Sequence, residues 1–138
     1  MGLDYQVELV HLPGHTPGQC GFYDLHNKTL FCGDTNGIAS AIPGEPFAEY
    51  CTVTALRNAL KKLEPRYDQI EGIFPGHGML DLLSSYLQNI LETCENVISE
   101  PLRFDRKVET IRNGVSMDYY MRFIYEGSSI RYTMHNIE

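Results

Sequence analysis

Two histidines and one aspartate in this chain stand where loops leave apolar runs, and all three side chains are of types that bind divalent metal. Val10 to Thr35 reads VHLPGHTPGQCGFYDLHNKTLFCGDT, and a shorter echo, FPGHG, runs from Phe74 to Gly78. His15 and His77 each lie among glycines and prolines, which hold a loop in a tight, irregular path. Asp34 follows Leu30-Phe31-Cys32-Gly33, so an apolar strand delivers it to a sheet edge. An imidazole, a carboxylate and a second imidazole converging from three strand ends would make a metal site. His15, Asp34 and His77 are therefore the candidate ligands. His11 precedes His15 with Pro13 and Gly14 between them, which is not a helical zinc motif. His11 is read as a strand-end histidine with its own hydrogen bond, the alternative being a residue that supports the site from behind its ligands.

Strands must bring those residues together. Tyr5 to Leu12 alternates, with Val7, Leu9 and His11 on one face and Gln6, Glu8 and Val10 on the other. Cys20–Leu25 and Thr29–Gly33 read as a hairpin around the turn His26-Asn27-Lys28. That hairpin returns the chain to the edge it left, so His15 and Asp34 become neighbours, while His26 stays exposed at the far tip. Asn36 to Pro46 is a loop broken by Gly37, Pro43, Gly44 and Pro46. It should overhang the site, with Ile38, Ile42 and Phe47 either lining a pocket or acting as plain anchors.

Phe47 to Leu63 has the period of an amphipathic helix, with Val53, Leu56, Leu60 and Leu63 inward, Glu49 near its start and Pro65 closing it. Tyr67 to Phe74 reads as a strand leading into His77. Leu80 to Ser99 is a second such helix, with Leu80, Leu83, Leu87, Leu91 and Cys94 on one stripe. Asp81 falls in its first turn, where it suits the helix dipole or could orient His77. Leu102 to Gly114 is too charged to assign. Val115–Tyr125 and Ile130–Met134 form an aromatic-rich terminal hairpin, read as packing surface.

A length of 138 residues suits one domain with a modest core. The net charge of −7 argues against nucleic acid or an anionic membrane as partner. No apolar stretch approaches the roughly 20 residues of a membrane span, and no charged-then-apolar leader is visible. Cys20, Cys32, Cys51 and Cys94 show no Cys-x-x-Cys spacing and read as free thiols, so the expected location is the cytoplasm.

Pro-Gly-His-Thr-Pro-Gly, a hairpin ending in Gly-Asp-Thr, and then Phe-Pro-Gly-His-Gly resemble the second half of a metallo-beta-lactamase-fold hydrolase of the hydroxyacylglutathione-hydrolase kind. The resemblance implies an α+β fold, half of an αββα sandwich: a mixed or antiparallel sheet covered by two helices. Residues 1–100 would be the C-terminal half of that domain, and 101–138 an extension whose hairpin packs on it. His15 would belong to a first metal site and His77 to a second. Asp34 would bridge them, one oxygen to each ion, and so carries the catalytic assignment. Zinc is the expected ion, with iron or manganese as alternatives, and this half chain would hold a single ion or none. Metal-activated water would attack an ester or thioester of a small-molecule substrate, with no serine or cysteine nucleophile.

The His-x-His-x-Asp-His loop of that family's first half is absent from this sequence. The expectation is then a chain inactive by itself, with the inner face of its sheet left bare. A bare apolar face is an association surface, here for the N-terminal half of the fold or for a second copy. The alternative reading is a non-catalytic dimerising or scaffold module whose histidines are structural turn residues.

Overall fold

The structure, a computed structural model, describes residues 6–35, 47–125 and 128–138. Four short strands form one sheet: β1 (Val7–His11), β2 (Cys20–Asp24), β3 (Thr29–Gly33) and β4 (Gly72–Pro75), in that spatial order. β1–β2 and β2–β3 are antiparallel, and β4 joins β3 in parallel, so the sheet is mixed. The hairpin between β2 and β3 is closed by Asp24, whose carboxylate accepts from the backbone N–H of His26 at 2.9 Å and of Asn27 at 3.0 Å. Those bonds hold the Asp24 carboxyl below the usual carboxylate range.

Strand alternation divides the sheet into two faces. Glu8, Tyr23, Leu30 and Ile73 stand in one cross-strand row, and Leu9, Phe22, Phe31 and Phe74 in the next. Residues that directly oppose one another share a face, and successive residues point to opposite faces. Tyr23, Leu30 and Ile73 are buried in the core, whereas Leu9 is 63%, Phe22 53% and Phe31 48% exposed. The rings of Phe31 and Phe74 stack at 5.5 Å. Val7 and Leu9 share a face as expected, but theirs is the open one, and Val10 packs against the core.

Two helices cover the buried face. α1 (Val53–Leu63) starts later than its periodicity predicts, because Phe47 adopts a left-handed φ of 67° and Ala48–Tyr50 form only a 3-10 turn. Glu49 therefore lies outside the helix. Thr52 caps it by accepting from Ala55 N–H at 3.0 Å. Two more N–H groups of its first turn, those of Val53 and Thr54, donate to the carbonyls of Asn136 and Ile137, each at 2.9 Å. After Leu63, residues Glu64–Gln69 continue as a 3-10 helix, which shortens the expected Tyr67–Phe74 strand to β4.

α2 (Ser85–Ser99) also starts late. Asp81 has φ 57°, and Leu82 pairs with Ile73 as an isolated β-bridge. Leu80 and Leu83, which fit the helical stripe in sequence, are consequently 62% and 67% exposed. Leu87, Ile90, Leu91, Cys94 and Val97 fill the core as their spacing predicts. No helix among the described residues is long and apolar enough to cross a membrane.

The terminal region is a three-stranded antiparallel sheet rather than a hairpin: β5 (Arg106–Arg112), β6 (Val115–Ile124) and β7 (Ser128–Tyr132). Asn113 and Gly114, with φ of 51° and 77°, make the tight turn that joins β5 to β6. Asp105, its side chain wholly buried, accepts from Arg122 and from the Tyr132 hydroxyl. Burial, and then the bond to Asp105, pushes the Tyr132 phenol up to about 12. Ile124, Ile130, Tyr132 and Ile137 join the core cluster that contains Leu30 and Ile73.

Candidate metal centre

The loop carrying His15 is closed at its base by Leu12 N–H donating to Gln19 O at 2.9 Å, and within it Gly14 N–H donates to Thr16 O at 3.3 Å. His11 is not drawn into the site: its Nε2 donates to the carbonyl of Pro17 at 2.9 Å, the strand-end role its position suggests. Asp34 follows directly on β3. The β3–β4 register shifts between Phe31 and Gly33, and Gly33 takes a φ of 56°, a left-handed conformation that glycine adopts without strain. His77 follows β4, whose end is tied to β3 by Gly76 N–H donating to Gly33 O at 2.8 Å.

These three loop ends meet at one rim. His77 Nδ1 lies 2.5 Å from Asp34 Oδ1, and His15 Nε2 lies 3.6 Å from Asp34 Oδ2. Each carboxylate oxygen therefore serves a different imidazole. His77 is 83% exposed, while His15 and Asp34 are about one-third exposed, at 34% and 29%. Gly76 makes the arrangement possible, because a Cβ there would stand 2.8 Å from Asp34 Oδ1. Sequence reasoning passed over that glycine, although its place between Pro75 and His77 was the available signal.

The donor set suits divalent metal in kind, with two neutral-capable imidazoles around a carboxylate. Among the described residues, no group of three His, Cys, Asp or Glu side chains is placed to hold an ion together. His77 Nδ1 and Asp34 Oδ1 are in direct hydrogen-bond contact, and His15 Nε2 stands on the side of the other carboxylate oxygen. Asp81 takes no part in this rim. Its carboxylate lies near Gly72, at the other end of β4, and Asp34 is the carboxylate at His77. Ile38 and Ile42, considered as pocket-lining residues, lie outside the described residues, and Phe47 is exposed.

All four cysteines are free thiols. Burial pushes the Cys32 thiol up to about 12 and raises Cys51 and Cys94 as well, which disfavours the thiolate needed for nucleophilic attack.

The chain belongs to the metallo-beta-lactamase superfamily, whose sequence profile matches residues 4–102. Hydroxyacylglutathione hydrolase GloC of Haemophilus influenzae is 36% identical over 74 residues, which are 54% of this chain and 34% of that protein. The acyl-coenzyme A thioesterases MBLAC2 of Gallus gallus and Homo sapiens are each 31% identical over 74 residues, 54% of this chain and 26% of theirs. A metallo-beta-lactamase family protein of Thermus thermophilus superposes with a TM-score of 0.48 at 17% identity, over 69% of this chain and 32% of that one. The matched segment spans about a third or less of the length of these relatives.

Proposed function

We propose that this chain is the carboxyl-terminal part of a metal-dependent hydrolase acting on an ester- or thioester-type bond of a small molecule. The observation that carries this reading is Asp34 held between two imidazoles, one carboxylate oxygen toward each. The names of the relatives, an acylglutathione hydrolase and acyl-coenzyme A thioesterases, favour thioesters as the substrate class.

His15 with Asp34 Oδ2 would hold one cation, and His77 with Asp34 Oδ1 a second, with zinc first and iron or manganese as alternatives. When bound, such a cation supplies Lewis acidity toward water and toward a carbonyl. The chain's own residues set position: the register shift after Phe31 and the missing side chain of Gly76 make room for the carboxylate, and His77 is open to solvent. Three side chains, giving two donor atoms to each cation, leave both cations short of ligands. The remainder would come from the amino-terminal half of such a fold, docked on the open row of Leu9, Phe22, Phe31 and Phe74. The isolated chain is then inactive or nearly so. Four free thiols fit a reducing compartment, and we place the protein in the cytoplasm.

Zinc content of the purified chain tests the site. Wild type should retain more zinc than His15→Ala or Asp34→Ala, and equal content in all three would sink the reading. Thioesterase activity toward an acylglutathione should appear on co-expression with a chain bearing His-x-His-x-Asp-His. No gain in that assay would remove the half-enzyme assignment. The open apolar row also favours a second reading, a non-catalytic association module. Equal zinc content together with a concentration-dependent mass would select it.

A further inference from the structure

The backbone ladder between β2 and β3 ends, on the rim side, at the pair Phe22–Phe31. Beyond that pair Gly21 packs against the β3 backbone, where a Cβ would stand 2.8 Å from Phe31 O, and no further register pair follows toward the rim. A side chain links the two strand ends nearer the rim. Gln19 donates from Nε2 to Thr35 Oγ1 at 3.1 Å and to Cys32 O at 3.4 Å. These two acceptors flank Asp34 along the chain, and Thr35 is fully buried, so water does not compete for the bond. The carboxamide has two N–H donors, one for each acceptor. The backbone of Gln19 meanwhile closes the His15 loop, accepting from Leu12 N–H at 2.9 Å and donating to Thr16 O at 3.3 Å. A single residue therefore belongs to one ligand loop by its main chain and to the other by its side chain.

We propose that Gln19 is a positioning residue that sets the approach of His15 to Asp34 Oδ2. The His77 side has a tie of its own, the Gly76–Gly33 backbone bond. The inference rests on the metal reading of the site for its consequence, though not for its geometry. Outer residues that orient ligands typically change metal affinity by about 10–100-fold.

The test compares wild type with Gln19→Met, which keeps length and removes both donors. In the metal-free chain, nuclear Overhauser contacts between the His15 ring and Gly33–Thr35 should be lost, while those of the His77 ring stay. Calorimetric titration with zinc alone should show binding weakened about tenfold or more. Thr35→Val removes one acceptor, together with the Thr35 hydroxyl's own bond to Cys32 O, and should act in the same direction. If Gln19→Met does not fold, Gln19→Leu, which also removes both N–H donors, supplies the same comparison. Contacts of both histidines lost together, or of neither, would overturn the proposal. So would a lowered melting temperature with zinc affinity unchanged. Absence of zinc binding by wild type would defeat the metal reading alone, since the metal-free contacts still decide the role of Gln19.

Discussion

The two faces of the four-stranded sheet are made by the same strands and end in opposite states. On one, Tyr23, Leu30 and Ile73 are at most 5% exposed beneath α1 and α2. On the other, Leu9, Phe22 and Phe31 are 48–63% exposed. Strands apolar on both faces are those buried on both, whereas a strand that fronts water alternates apolar with polar. β3 places Leu30 and Cys32 on one side and Phe31 on the other, so its composition matches a second layer that the two helices do not supply. The contrast separates what makes this chain fold from what it presents to another surface.

The largest expected effect attacks the covered face. Leu30→Ala should lower unfolding free energy in urea by about 2–5 kcal/mol, the range for a buried large-to-small change. Phe31→Ala, its neighbour on the open face, should cost much less, about 0.5 kcal/mol. Equal losses would erase the contrast.

The next effect is alkaline and again belongs to the covered side. Burial raises the folded Cys32 thiol from an ordinary value near 9 to about 12. Tyr132 is raised from 10 to about 12. The unfolded chain therefore gives up these protons first. Stability is fully present below pH 9 and is lost as pH rises toward 12. Melting temperature followed from pH 8 upward should fall along that window, and Cys32→Ala should flatten the fall. An unchanged slope in Cys32→Ala would assign it elsewhere.

A smaller effect on folding, with a sharp one on the rim, is expected from Gly76→Ala. The new methyl group would stand 2.8 Å from Asp34 Oδ1, so retained zinc should drop while melting changes little. Gly18→Ala is the control, since a Cβ there meets nothing within 4 Å. The smallest effect on stability is that of Phe22→Ser, where the difference should appear in sedimentation as less association. An unchanged mass distribution would show that the open face is not the adhesive one.

That His15, Asp34 and His77 meet at one rim was legible because their signals are local: each follows a short apolar run and sits in turn chemistry. The β2–β3 hairpin was legible for the same reason. The starts of both helices were not. Leu80 and Leu83 satisfy a 3.6-residue stripe, but the Leu82–Ile73 bridge and the left-handed Asp81 remove that segment from α2. This is tertiary pairing overriding periodicity. Phe47 likewise carries no sequence mark of its positive φ. β5 was hidden by its charges, yet Asn113-Gly114 announced a tight hairpin turn and would have revealed it. The role of Gln19 could not be read at all, because its acceptors lie on a different strand end.

The carbonyls of Asn136 and Ile137 complete the first turn of α1. A change at Asn136 or Ile137 therefore reaches a helix far back in the chain. Carboxypeptidase trimming of this 138-residue chain past Ile137 should unravel the start of α1 before it disturbs the neighbouring β7. Timed digestion read by amide exchange at Val53 and Thr54 would turn that remote joint into a reporter.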